Sequence, residues 1–119
     1  MATTPEFMDY VYGQIADAGG VSYRKMFGEY GVYLDGKIIA LVCDNMFFLK
    51  PTEAARRLLA AAGQLEEAPP YEGSRPFYLI DFLDDRGFLA ELLRQSWLEL
   101  PMPKPKPKKP KGTRQITGK

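Results

Sequence analysis

An α+β fold, an antiparallel meander sheet of about five strands flanked by three helices, is predicted by three features of this 119-residue sequence. Apolar residues recur at helical spacing in three stretches of the first 100 residues. Between the first two stretches lie four short apolar and aromatic runs, joined by three two-residue turn signals. A fifth such run precedes the last helical stretch, so the predicted order is α-β-β-β-β-α-β-α. The length suits one domain, and a hydrophobic share of 45% suits one ordinary core.

The first helix opens at Thr3 or Thr4, with Pro5 tolerated in the first turn and Glu6 at capping-box spacing from Thr3. Phe7, Tyr10, Val11, Ile15 and Ala18 then share one helical face, and Gly19-Gly20 ends it. Strands are predicted over 22–27, 30–34, 37–43 and 46–50, joined by Gly28-Glu29, Asp35-Gly36 and Asp44-Asn45. Asp35-Gly36 is the strongest of these signals, because both central residues of a two-residue hairpin turn need positive φ. Gly28 bends the chain, and Gly31 leaves space for a side chain from elsewhere. Thr52 caps the second helix, whose Ala54, Ala55, Leu58, Leu59 and Ala62 face inward before Gly63 stops it. Residues 64–74 read as a surface loop around Pro69-Pro70 and Gly73. Residues 75–81 form the last strand, with Phe77 and Leu79 on one face and Tyr78 and Ile80 on the other. Asp84 or Asp85 then caps a helix carrying Phe88, Leu89, Leu92, Leu93 and Trp97, with Trp97 as a core anchor.

One pattern does not fit a sheet with a single buried face. Ile38 to Cys43 runs without alternation, and Met46 to Leu49 is apolar on both faces. Something must cover both sides, and a second subunit is one candidate.

Charge divides the chain at Leu100. Residues 101–119 carry Lys104, Lys106, Lys108, Lys109, Lys111, Arg114 and Lys119 with no acid, whereas residues 1–100 hold nine bases against 15 acids. The predicted domains are therefore an acidic body, 1–100, and a basic lysine-proline tail, 101–119. The tail has too little apolar surface to offset its ordering entropy and is expected to be disordered, with polyproline II character in its first half. It serves as a solubilising element, as a weak sequence-insensitive ligand of nucleic-acid phosphates, or as a ligand of acidic protein surface.

Several chemistries are excluded at once. The sequence has no histidine, which removes the usual general base, nucleophile activator and metal ligand. Cys43 is the single cysteine, so neither an intrachain disulfide nor a thiolate metal cluster can form within one chain. Its neighbours Leu41, Val42 and Asp44 supply no cation to activate it, and it reads as a small apolar residue in a buried strand. The pairs Asp84-Asp85 and Glu66-Glu67 adjoin helix boundaries, where acids serve as caps or solvated groups. No catalytic, metal or cofactor residue is assigned. No secretory signal or apolar membrane stretch is found, and a cytoplasmic location is expected.

The residues from Arg24 to Pro51 carry a family resemblance. Met26-Phe27-Gly28, Tyr30-Gly31-Val32-Tyr33, Asp35-Gly36 and Phe48-Leu49-Lys50 occur in the order and spacing of the TfoX N-terminal domain, a family named for the TfoX/Sxy regulators of natural competence. Phe77-Tyr78 and Trp97 fit its later strand and final helix, so the likeness spans roughly residues 5–98. It implies an α+β fold similar to that of type III secretion chaperones, and it does not imply catalysis. The full-length competence regulators carry a second, helical domain, whereas here a lysine-proline run follows Leu100, so the resemblance is to the N-terminal domain standing alone.

The expected function is a non-enzymatic regulatory interaction module, possible as a homodimer, whose protein partner binds an exposed sheet edge or apolar face. Tyr30, Tyr33, Phe47 and Phe48 are the strand aromatics to inspect for exposure. Two alternatives are tail-driven nucleic-acid association and a small-molecule-binding domain, the latter needing a pocket with convergent polar groups.

Overall fold

The computed structural model describes residues 3–26 and 28–101. Within them lie α1 (Pro5–Ile15), a 3-10 turn (Ala16–Ala18), β1 (Val21–Met26), β2 (Glu29–Leu34), β3 (Lys37–Cys43), β4 (Met46–Leu49), α2 (Glu53–Ala61), β5 (Glu67–Ala68), β6 (Phe77–Ile80) and α3 (Arg86–Glu99). The fold is α+β, an open antiparallel sheet of six strands in the order β1-β2-β3-β4-β6-β5. The sixth strand is β5, two residues in the stretch read from sequence as loop. A pair that short carries no periodicity, and only its partner, β6, makes it a strand.

Turn chemistry sets the meander. Asp35 and Gly36 sit at φ of 46° and 87°, and Asp44 and Asn45 at 53° and 58°, so both connections are left-handed two-residue turns. The first connection differs from expectation. Met26 pairs with Glu29, which moves the connection one residue earlier than read and makes Glu29 a strand residue. Between β2 and β3 the register shifts, with Val32 opposite Ala40 and Tyr33 opposite Ile38, so Ile39 bulges and its carbonyl accepts the Lys50 N–H at 2.9 Å.

Caps fix the helix starts. Thr4 is the N-cap of α1 and accepts from Phe7 N–H, which leaves Glu6 one position short of a capping box. Thr3 is buried and turned to the sheet instead. Thr52 caps α2 by accepting from Ala55 N–H, and Asp85 caps α3 by accepting from Phe88 N–H.

All three helices pack on one face of the sheet. The core joins Met8, Val11 and Ile15 of α1, Ala55 and Leu59 of α2, and Leu89, Leu92 and Leu93 of α3 to Val32, Leu34, Ala40, Val42, Phe47, Leu49, Tyr78 and Ile80. The expected face of α1 holds at Val11, Ile15 and Ala18, but Met8 is buried and Tyr10 is 48% exposed. Aromatic hydrophobicity misled there, because a tyrosine can keep its hydroxyl end in water. On α2, Ala62 is exposed and Leu58 half-buried, and on α3, Ser96 takes a buried place beside a half-buried Trp97. Thr52 hydroxyl and Ser96 hydroxyl lie 3.4 Å apart, which accounts for a polar residue there.

Candidate functional site

Among the described residues, the face opposite the helices is apolar and carries no helix. Alternation along the strands puts Met26, Gly31, Tyr33, Ile38, Leu41, Cys43, Phe48 and Leu79 there, outside the helix-packed core. Cys43 and Phe48 are buried, and Met26, Tyr33, Ile38, Leu41 and Leu79 are half-buried. Gly31 makes room for this packing, since a methyl built on it would stand 2.5 Å from Met26 Cε and 3.4 Å from Ile38 Cδ1. The connection from β5 to β6 reaches over the same face: Pro70 is buried, and Tyr71 is 61% exposed. What is left open is a groove of about 470 Å³ lined by Met26, Glu29, Tyr30, Leu41, Cys43, Pro70 and Tyr71.

Among the described residues its one charged wall residue is Glu29, whose Oε1 is held by Thr3 N–H at 3.0 Å, Thr3 hydroxyl at 2.6 Å and Asp44 N–H at 3.1 Å. Thr3 hydroxyl also accepts from Asn45 N–H at 3.2 Å, so the chain start is tied to both turns at this end of the sheet. Burial, followed by the charges of Glu29 and Asp44, pushes the Cys43 thiol up to about 11. A thiol held protonated is a poor nucleophile and a poor metal ligand, so the groove offers shape and apolar surface.

The structure places the residues singled out in the sequence as follows. Phe47 is fully buried in the helix-packed core and Phe48 on the opposite face, so neither offers surface to a partner. Tyr30 is buried, with its ring edge-on to Tyr23 at 5.6 Å, and Tyr23 in turn meets Tyr12 at 5.7 Å. Tyr33 is half-buried beneath the Arg24 guanidinium, 5.7 Å from its ring. Met26 and Gly31 belong to the groove face, Asp35-Gly36 to the hairpin, and Leu49 to the core, with Lys50 at the strand end. Gly28 is in the first turn, and Phe27 and the tail residues Lys104, Lys106, Lys108, Lys109, Lys111 and Arg114 lie outside the described residues.

Sequence reasoning missed how the site is braced: Pro70 reads as loop, Thr3 as a helix start and Glu29 as a turn, and no periodicity marks Tyr71. Lys37 was read only as the start of a strand, yet it is buried, donating from Nζ to Trp97 O at 2.8 Å and lying 3.9 Å from the Trp97 ring centre. Trp97 Nε1–H donates to Leu34 O at 2.7 Å, so α3 ends clamped on the β2–β3 hairpin. A second cleft, about 520 Å³, is lined by Ala62, Gln64, Phe82, Asp84, Asp85 and Phe88. Its carboxylates are solvated, and Asp85 is occupied as a helix cap. Among the described residues no cluster of three or more potential metal ligands forms, and no helix is long and apolar enough to cross a membrane.

Comparison with known proteins identifies the lineage. Residues 13–100 match the TfoX N-terminal domain. The chain is also 34% identical over 112 residues to an uncharacterized 12.7 kDa protein in the trpE 5' region of Spirochaeta aurantia, covering 93% of this chain and 95% of that protein.

Proposed function

Since the chain belongs to the TfoX N-terminal domain family, we propose that it works as a non-enzymatic interaction module in a regulatory accessory role, of the transcriptional or competence type for which the family is named. Its partner is a protein, met on the outer face of the sheet in the cytoplasm. The observation that supports this reading is the helix-free apolar face with an open groove at one end. Apolar surface of that kind is left uncovered mainly where something binds it. A second copy of the chain is one protein such a face suits, and an elution volume that stays monomeric over a wide concentration range removes it from the reading.

Capture from lysate by the full chain tests the proposal, beside Tyr71→Ala and Leu41→Lys variants that keep a native circular dichroism spectrum. A defined protein retained at high salt by the parent and lost by both variants is the expected result. Equal retention by all three sinks the assignment to this face. The second reading, phosphate contact by the tail, is favoured by seven bases with no acid between them. Recovery of nucleic acid alone, only at low salt, supports that reading, because each phosphate neutralised contributes a slope of roughly −0.9 in log affinity against log salt.

A further inference from the structure

The geometry points to the chain's own lysine-proline segment, residues 102–111, as a cis ligand that covers the outer face of the sheet and ends in the groove, where it competes with the protein partner. We infer this from reach, pattern and charge together, and it rests on the reading that the outer face is the partner surface.

Reach is the first constraint. The Trp97 bond to Leu34 O places the end of α3 over the hairpin end of the strands, and Pro101 follows at once. The groove lies at the other end of the same strands, where Glu29 begins β2 and Cys43 closes β3. The six residues of β2 rise roughly 20 Å. Passing from the helix layer to the outer face adds about 10 Å, the usual spacing of packed layers. A proline-rich chain advances about 3.1 Å per residue, so the ten residues 102–111 span about 31 Å, enough to run from the hairpin across Ile38, Tyr33 and Leu41 to the groove. A shorter tail would stop short of it.

Pattern is the second. Pro101, Pro103, Pro105 and Pro107 alternate with Met102, Lys104, Lys106 and Lys108. A residue that precedes proline is disfavoured in the helical region, so the repeat favours polyproline II backbone, whose three-fold turn interleaves prolines and lysines around the segment. Proline has no N–H, so a proline-rich segment laid on apolar side chains strands fewer donors than an ordinary strand would. The restricted backbone also loses less entropy on docking.

Charge is the third. Glu29 lines the groove, and the exposed Asp44 and Glu72 follow the lining residues Cys43 and Tyr71. These carboxylates sit where the lysines at 108, 109 and 111 arrive. The arrangement resembles the docking of proline-rich ligands in aromatic grooves, with Tyr71 and Pro70 as walls.

The test uses the full chain carrying Cys43→Ala and Thr113→Cys, with a nitroxide on the new thiol and nitrogen-15 in the backbone. At low ionic strength the amide signals of Met26, Glu29, Leu41 and Tyr71 are expected to lose more than half their intensity, while those of Ala60 and Leu98 keep theirs. High salt or Tyr71→Ala should restore the lost signals. Signals bleached only when labelled unenriched chains are mixed with unlabelled enriched ones would mean that the tail reaches a second copy, which overturns the cis assignment. Uniform or absent bleaching would overturn the docking itself. The partner reading stands or falls separately, on the capture experiment above. If the tail competes, replacing Pro103, Pro105 and Pro107 by glycine should increase the amount of partner captured, and an unchanged or smaller yield contradicts competition.

Discussion

Gly31 shows how much one residue decides on the outer face. Its missing side chain lets Met26 lie across β2, where an added methyl would stand 2.5 Å from the Met26 terminal carbon. Gly31→Ala should destabilise the protein by no more than about 1 kcal/mol, the low end of the cost of an extra methyl, because the atom in its way is the mobile end of a methionine. In a Met26→Ala background that loss should largely disappear. Denaturant unfolding of the four-protein cycle checks it, and an equal loss in both backgrounds would mean that Met26 is not the obstacle. The sequence showed that this glycine makes room, and β1 pairing in register shows for what. Lys37 was the opposite case. Nothing in a strand-initial lysine announces a buried amine held between a helix-terminal carbonyl and an indole.

At the scale of elements, helices and turns were legible because their signals are local. The threonine of α2 and the aspartate of α3 cap as read, and the two hairpins after β2 and β3 follow from Asp35-Gly36 and Asp44-Asn45. What was not legible is that α3 returns a cap to α2. Glu99 accepts from Glu53 N–H at 2.9 Å through Oε1 and from Ala54 N–H at 3.1 Å through Oε2, supplying acceptors that Thr52 alone cannot. Glu99→Ala should cost about 1 kcal/mol, as cap removals do, and Glu99→Gln less because one carbonyl acceptor remains. Thermal unfolding distinguishes them; identical behaviour of Ala and Gln variants would remove the capping role. Contacts of this kind join residues 46 apart, a separation that no periodic window spans.

The whole molecule carries a pH dependence that its parts share. Burial raises the Cys43 thiol from 9.0 to about 11, and burial likewise raises Tyr78, while burial and then Asp9 raise Tyr23. Between those two values an unfolded thiol releases its proton while the folded one keeps it, so stability is intact below about pH 9 and falls as the pH climbs through 11. The thiol alone contributes up to about 1 kcal/mol per pH unit in that window. Cys43→Ala should flatten the decline in part, with the tyrosines accounting for what remains. A denaturation midpoint that does not move from neutral pH to the alkaline end of the window would contradict the burial of Cys43 and Tyr78. The sequence by itself determined the α+β class, the three amphipathic helices, the hairpin turns, the absence of histidine chemistry and the division of charge at Leu100. These follow from local periodicity, turn stereochemistry and composition, which need no knowledge of what packs on what. It also showed a sheet apolar on both sides. Only the tertiary structure decided that all three helices share one side, that Pro70 and Tyr71 cover part of the other, and that the described residues leave a groove beside them. Which face a helix covers depends on chain reversals and on contacts distant in sequence, and alternation along a strand is blind to both.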